Sequence, residues 1–140
     1  MKLDLVILVI TVCIFFQIPV SYGMNLHKDM DKDRTTLILG EEDNNRGITI
    51  TLGEKIQIEL EGTGATGYKW YMDKLDPEYL ELISEETKPI TGGKVGASVL
   101  TYWKIMALKK GKTEILMHYY RPWEGQDKAL RHYRVIIKVI

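Results

Sequence analysis

The chain has 140 residues, with 19 basic and 19 acidic side chains and a formal charge of zero. That length suits one domain with a modest core. No like-charge block is long enough to point to nucleic acid or an anionic membrane surface as partner.

Residues 1–23 read as a secretory signal peptide rather than as part of the fold. Lys2 gives a positive start, Leu5 to Phe16 is an unbroken apolar and small-residue run that continues to Val20, and Ser21-Tyr22-Gly23 offers small residues for cleavage after Gly23. The other reading is an uncleaved anchor. Against it, the run of about 16 residues falls short of the roughly 20 that a helical span needs. Cys13 could mark a lipoprotein, but Val12 before it is larger than such sites normally carry. The expectation is a protein of the secretory pathway, secreted or extracytoplasmic (periplasmic in a bacterium), with no stable membrane span after cleavage. Cys13 is the only cysteine, so residues 24–140 would hold no disulfide, thiol nucleophile or thiolate metal site.

Residues 24–34 are charged and patternless, as in a mobile N-terminal arm. The fold is expected over 35–140. Thr35–Leu39 reads as a strand, followed by the acidic and Asn-rich loop GEEDNNRG. Ile48–Leu52 is strand-like, and Lys55–Leu60 alternates cleanly, with Ile56, Ile58 and Leu60 on one face. Gly67–Met72 puts Tyr68, Trp70 and Met72 on one face. Asp76–Glu86 is ambiguous: Pro77 suits a first helical turn, while Leu80–Ser84 also fits a strand. Val99–Ala107 aligns Trp103, Ile105 and Ala107, and Lys109–Lys112 turns into Thr113–Tyr120. Leu130–Ile140 alternates Tyr133, Val135, Ile137 and Val139 against Arg134, Ile136 and Lys138. Seven or eight short strands with turn signals between them predict an all-β sandwich or barrel.

Three connections carry more than turn chemistry. EGTGATGYKW, residues 61–70, holds three glycines within six positions, where a tight hairpin needs one. Such a backbone reaches φ > 0 and lets another surface approach. PITGGKVGAS, residues 89–98, is a second glycine-rich loop, weak as a signal alone. In HYYRPWEGQD, residues 118–127, Pro122 fixes its own φ and biases Arg121 toward an extended conformation. Arg and Trp are residues that dominate interface energetics, and holding them in advance lowers the ordering cost of binding. Alternatively, Trp123 folds back on the sandwich edge and Arg121 pairs with Glu124. The sequence leaves both open.

Catalysis finds no support. Ser84 and Ser98 lack a Gly-x-Ser-x-Gly context. His27, His118 and His132 show no metal-ligand spacing, and the latter two fall in strands, where solvent-facing or satisfied positions are expected. Glu85-Glu86 and Glu41–Asp43 read as solvated loop charges. No catalytic residue, metal or cofactor is expected.

In their order, the three loops resemble the chagasin-like inhibitors of papain-type cysteine peptidases. That family shows an Asn-Pro-Thr-Thr-Gly-aromatic-x-Trp loop, a Gly-x-Gly-Gly-type loop and an Arg-Pro-Trp loop. Here Thr66, Gly67, Tyr68 and Trp70 match the first, with Thr63, Gly64 and Ala65 where Asn, Pro and Thr are usual. Gly96 and Ala97 match the second, with Ser98 and Val99 where glycine is frequent. Arg121, Pro122, Trp123 and Glu124 match the third in full. The resemblance covers about Thr35 to Ile140.

It implies an immunoglobulin-like β-sandwich of seven to eight strands with Greek-key connections. It further implies a reversible, non-covalent, competitive inhibitor of papain-like (cathepsin-type) cysteine peptidases. Carried over, Thr63, Gly64, Ala65, Thr66 and Gly67 block the peptidase cleft. Gly96, Ala97 and Ser98 meet one wall, and Arg121, Pro122 and Trp123 the other. A glycine-shaped loop would also keep its carbonyls out of attack geometry. The competing class is a secreted immunoglobulin-like adhesion or carbohydrate-binding module. Trp70 and Trp103 are expected in the core, which leaves Trp123 alone as a stacking platform. No long exposed apolar face calls for more than a monomer.

Overall fold

The structure, a computed structural model, describes residues 36–90 and 97–140. The expected signal peptide, the arm at 24–34, Cys13, His27, Thr35, Gly92, Gly93 and Gly96 lie outside the described residues.

Period-two alternation sets the layers. The strands are β1 Leu37–Leu39, β2 Gly47–Ile50, β3 Lys55–Thr63, β4 Lys69–Lys74, β5 Leu80–Pro89, β6 Ser98–Ala107, β7 Gly111–Tyr120 and β8 Arg131–Val139. Along β3, Ile56, Ile58 and Leu60 turn inward, and β6 beside it contributes Trp103, Ile105 and Ala107. The facing sheet supplies Trp70, Ile115, Met117, Tyr119, Tyr133, Val135 and Ile137. Each such side chain contributes about 1.5–3 kcal/mol on burial. The result is the sandwich, not the barrel: one sheet ordered β1-β3-β6-β5, the other β2-β8-β7-β4.

Two of the pairings are parallel. β1 runs parallel to β3, and β2 parallel to β8. The chain passes from one sheet to the other through a short 3-10 turn at Glu41–Asp43. These acids were expected to be solvated loop charges. Instead, the Asp43 carboxylate accepts the Gly40 N–H at 3.0 Å and Glu41 pairs with Arg131. Asn44 then docks the turn on β8, donating to the His132 carbonyl and accepting from the Arg134 N–H, both at 2.9 Å.

The ambiguous stretch 76–86 resolves into both of its readings in series. The Tyr79 and Leu80 N–H groups close one turn on the Asp76 carbonyl, at 3.1 and 3.0 Å. From Leu80 the chain is strand, with a bulge between Leu82 and Ser84. As an edge strand, β5 carries that bulge, the charged Glu85, Glu86 and Lys88, and Pro89. All of these discourage pairing with another chain.

Register fixes where the connections fall. Thr63 pairs with Ser98, Pro89 with Val99, Lys69 with Tyr120 and Arg131 with Tyr119. The β3–β4, β5–β6 and β7–β8 connections therefore leave and re-enter at one end of the sandwich. The turns at 51–54, 75–79 and 108–110 lie at the other. No helix among the described residues is long and apolar enough to cross a membrane.

Candidate functional site

The first loop begins where β3 ends. Thr63, Gly64, Ala65 and Thr66 are exposed, and Gly67 and Tyr68 half-buried. Beneath the loop lies a cavity of about 260 Å³, lined among others by Thr63, Gly64, Tyr68, Glu85, Val99 and Thr101. The Thr87 and Thr101 hydroxyls, 3.0 Å apart, hydrogen-bond each other at this cavity. Beside this cavity the loop is held by lateral ties.

Three ties are present. The Thr63 N–H donates to the Tyr119 hydroxyl at 2.8 Å. Tyr119 belongs to β7 in the opposite sheet, and its ring is buried between Tyr68 and Trp70, with centroids 5.5 and 5.2 Å away. The Gly64 N–H donates to the Ala97 carbonyl at 3.1 Å, which joins the first loop to the second. A Cβ on Gly64 would stand 3.1 Å from that oxygen and 3.2 Å from Val99 Cγ1, so glycine permits the approach.

The third tie comes from Arg121. Its Nε donates to the Thr66 carbonyl at 2.8 Å, its Nη1 pairs with Glu124 at 3.0 Å, and its guanidinium lies 4.4 Å from the Tyr68 ring centroid. The pair with Glu124 is about one-third exposed on each side and worth about 0–1 kcal/mol. Stacking on Tyr68 adds about 0.5–1 kcal/mol at an exposed site. A hydrogen bond from a charged donor contributes about 1.5–3 kcal/mol, less where water competes. The bond to the Thr66 carbonyl is therefore the strongest single link between the first and third loops.

Pro122 occupies a turn closed by the Glu124 N–H on the Arg121 carbonyl at 3.0 Å. That turn presents Trp123, 70% exposed, with its indole edge against Gly67. Arg121 thus pairs with Glu124, as the alternative reading had it, while the Trp123 ring stands in solvent.

Of the residues singled out from sequence, Thr63, Gly64, Thr66, Gly67, Ala97, Arg121 and Trp123 are joined by these contacts. Ala65 and Pro122 are exposed beside them. Ser98 opens β6 as the rung opposite Thr63. Val99 follows it in the sheet, facing Gly62 and Pro89, a position that suits a β-branched residue.

Two residues that sequence reasoning missed support the same end. Tyr119 is one. Arg131 is the other: its Nη1 donates to the Glu61 carbonyl at 2.8 Å, beside the Trp70 Nε1 donor at 3.0 Å. Its guanidinium lies 4.9 and 5.3 Å from the Trp70 and Tyr119 ring centroids. The inward parity of Tyr119 with Ile115 and Met117 is visible in the sequence, but the partner of its hydroxyl is not. Nothing local marks Arg131.

On the outer face, His118 Nδ1 lies 2.5 Å from Asp73 and 2.9 Å from Gln126 Nε2, edge-on to the His132 ring at 4.9 Å. Among the described residues, no group of three or more His, Cys, Asp or Glu side chains is arranged to hold a metal ion. Glu114, also on this face, is held below the ordinary carboxylate value by hydrogen bonds from Lys74 and Arg134.

Comparison with known proteins bears on the family and the fold. Residues 49–137 match the family described as Chagasin family peptidase inhibitor I42. The chain is 33% identical over 87 residues to amoebiasin-1 of Entamoeba histolytica (strain HM-1:IMSS), covering 61% of this chain and 82% of the relative. It is 31% identical over 104 residues to amoebiasin-2 of the same organism, covering 72% and 85%. Chagasin of Trypanosoma cruzi is 24% identical over 99 residues, covering 68% and 90%. Among solved structures, the cysteine protease inhibitor EhICP2 from Entamoeba histolytica superposes with a TM-score of 0.69 at 26% identity, over 75% of this chain and 96% of that one. PbICP-C, solved in complex with falcipain-2, shares the fold, with a TM-score of 0.54 at 21% identity over 74% and 99%. The fold is the immunoglobulin-like sandwich of these inhibitors, and the family is one of protease inhibitors, not enzymes. The chain belongs to the chagasin family of peptidase inhibitors.

Proposed function

We propose that this protein is a reversible, non-covalent, competitive inhibitor of papain-like cysteine peptidases, acting through the three loops at one end of the sandwich. The observation that carries the reading is the join between the first and third loops. Arg121 holds the Thr66 carbonyl, and Gly67 lies against the edge of the exposed Trp123 ring. Small exposed residues, Thr63 to Thr66, thereby sit beside a preset aromatic anchor. Small side chains suit entry into a narrow cleft, and an indole supplies contact area at low entropic cost.

The peptidase class is supported by EhICP2, a cysteine protease inhibitor, and by the falcipain-2 bound to a protein of the same fold. In the proposed mode, Thr63 to Gly67 occlude the catalytic groups, Gly96 to Ser98 flank one side, and Arg121 to Trp123 flank the other. No bond is made or broken. The bond from Arg121 to the Thr66 carbonyl fixes the loop backbone, and in this reading the fixed backbone keeps its peptide bonds out of attack geometry.

The apolar run from Leu5 to Val20 and the small residues before Met24 support export through the secretory pathway and cleavage after Gly23. N-terminal sequencing of the protein from its native source would read Met24 first if so.

Amide hydrogen exchange tests the binding mode. The protein is compared free and with papain whose catalytic cysteine has been blocked by a small alkyl group. New protection is expected at 63–67, 96–98 and 121–123. Protection confined to the outer sheet faces would overturn the three-loop mode.

A further inference from the structure

Among the described loop residues, Arg121 ties its side chain to two loops at once. Nε is on the Thr66 carbonyl, Nη1 is on Glu124, and the guanidinium plane covers Tyr68 at 4.4 Å and approaches Trp123 at 5.9 Å. The side chain is about one-third exposed, against 70% for Trp123. Nε and Nη1 point back, across the gap between two loops, beside the cavity.

From this geometry we infer that Arg121 is a positioning residue: it sets the first loop against Trp123 through the Thr66 carbonyl, and its charge is not what the peptidase recognises. The inference rests on the inhibitory reading above but does not stand or fall with it, because the joined loops belong to the free protein.

The three contacts need a planar, forked donor. A carbonyl, a carboxylate and an aromatic face are met at once by guanidinium and cannot be met at once by an ammonium on a flexible stem. Lysine keeps the charge and loses the arrangement. Arg121→Lys therefore separates the two roles. If Arg121 were a charged contact to the enzyme, lysine would serve nearly as well. If it positions the loop, lysine should fail much as alanine does.

The test has two readouts. In the free protein, the indole of Trp123 lies against Gly67, so ring current displaces the Gly67 α-proton resonances. That displacement should collapse toward random-coil values in Arg121→Lys and Arg121→Ala, while resonances of Ile58, Ile105 and Val135 in the core stay in place. Against papain, both variants should lose about tenfold or more in affinity and agree within about threefold. Placed on a Trp123→Ala background, Arg121→Lys should cost less than threefold further, since the anchor it positions is gone.

Arg121→Lys with affinity within threefold of the natural protein would overturn the inference. So would lost affinity with the Gly67 displacement intact, which would make Arg121 a direct contact. Should the protein inhibit no peptidase, the resonances of the free protein alone decide: collapse upholds the positioning role and retention refutes it.

Discussion

Gly67 and Trp123 meet face to edge: a Cβ on Gly67 would stand 2.9 Å from the indole Cζ2 and closer still to Cη2. Gly67 also sits at φ +78°, a conformation that side-chain-bearing residues rarely adopt. Two independent constraints therefore require glycine. Gly67→Ala should push the ring off the loop and lower stability by about 1 kcal/mol or somewhat more. Inhibition should fall by at least tenfold in a substrate-competition assay. An unchanged inhibition constant would mean that the contact is incidental.

Trp123 itself should behave in the opposite proportion. With 70% of its surface exposed, Trp123→Ala should leave the urea unfolding midpoint nearly unchanged. As an interface anchor it should cost about 2 kcal/mol of binding, roughly 30-fold. A large drop in the midpoint with little change in inhibition would place the ring's role in the fold.

Arg131 should show the reverse signature. It joins the Glu61 carbonyl of one sheet to the Trp70–Tyr119 stack of the other and pairs with Glu41. Arg131→Ala removes a charge-assisted hydrogen bond, worth about 1.5–3 kcal/mol where water is excluded. Chemical denaturation should report a loss near the low end of that range, because the site is exposed. Inhibition measured well below the unfolding transition should change less than for Trp123→Ala.

Tyr133 predicts an alkaline limit. Its hydroxyl is buried with no hydrogen-bond partner among the described residues. Burial first, then the charges of Asp43 and Glu42, push its ionisation well above the ordinary tyrosine value. The folded protein thus holds the phenolic proton more tightly than the unfolded chain. The associated stability is complete below about pH 10, the ordinary value, and is lost as pH rises from there toward the folded value, at about 1.4 kcal/mol per pH unit. Tyr133→Phe removes that loss along with an unpartnered hydroxyl, so at neutral pH it should be neutral or stabilising. Urea unfolding of both proteins from pH 7 to 11 checks the sign. A phenylalanine variant that is clearly less stable at pH 7, with the same alkaline slope, would contradict the assignment.

Much of this architecture was legible in the chain. Ile56-Ile58-Leu60, Trp103-Ile105-Ala107 and Tyr133-Val135-Ile137 announce inward faces because side-chain period and burial coincide in strands. What stayed hidden was long-range. The parallel pairing of β1 with β3 and β2 with β8 depends on a crossover turn, and the acids of that turn look like any solvated loop. At the loop end, Arg121-Pro122-Trp123 was conspicuous, as were the glycines. Tyr119 and Arg131 were not: their partners, Thr63 and Glu61, lie 56 and 70 residues away. No local pattern encodes such distances.

The central claim is inhibition through a preassembled loop end, and one titration tests it most directly. The protein is titrated against papain and a cathepsin L-type peptidase with a fluorogenic substrate at several concentrations. The account predicts tight, reversible inhibition whose apparent constant rises linearly with substrate, with the inhibitor recovered at intact mass. No inhibition of either enzyme at micromolar protein, or cleavage within residues 61–68, would contradict it.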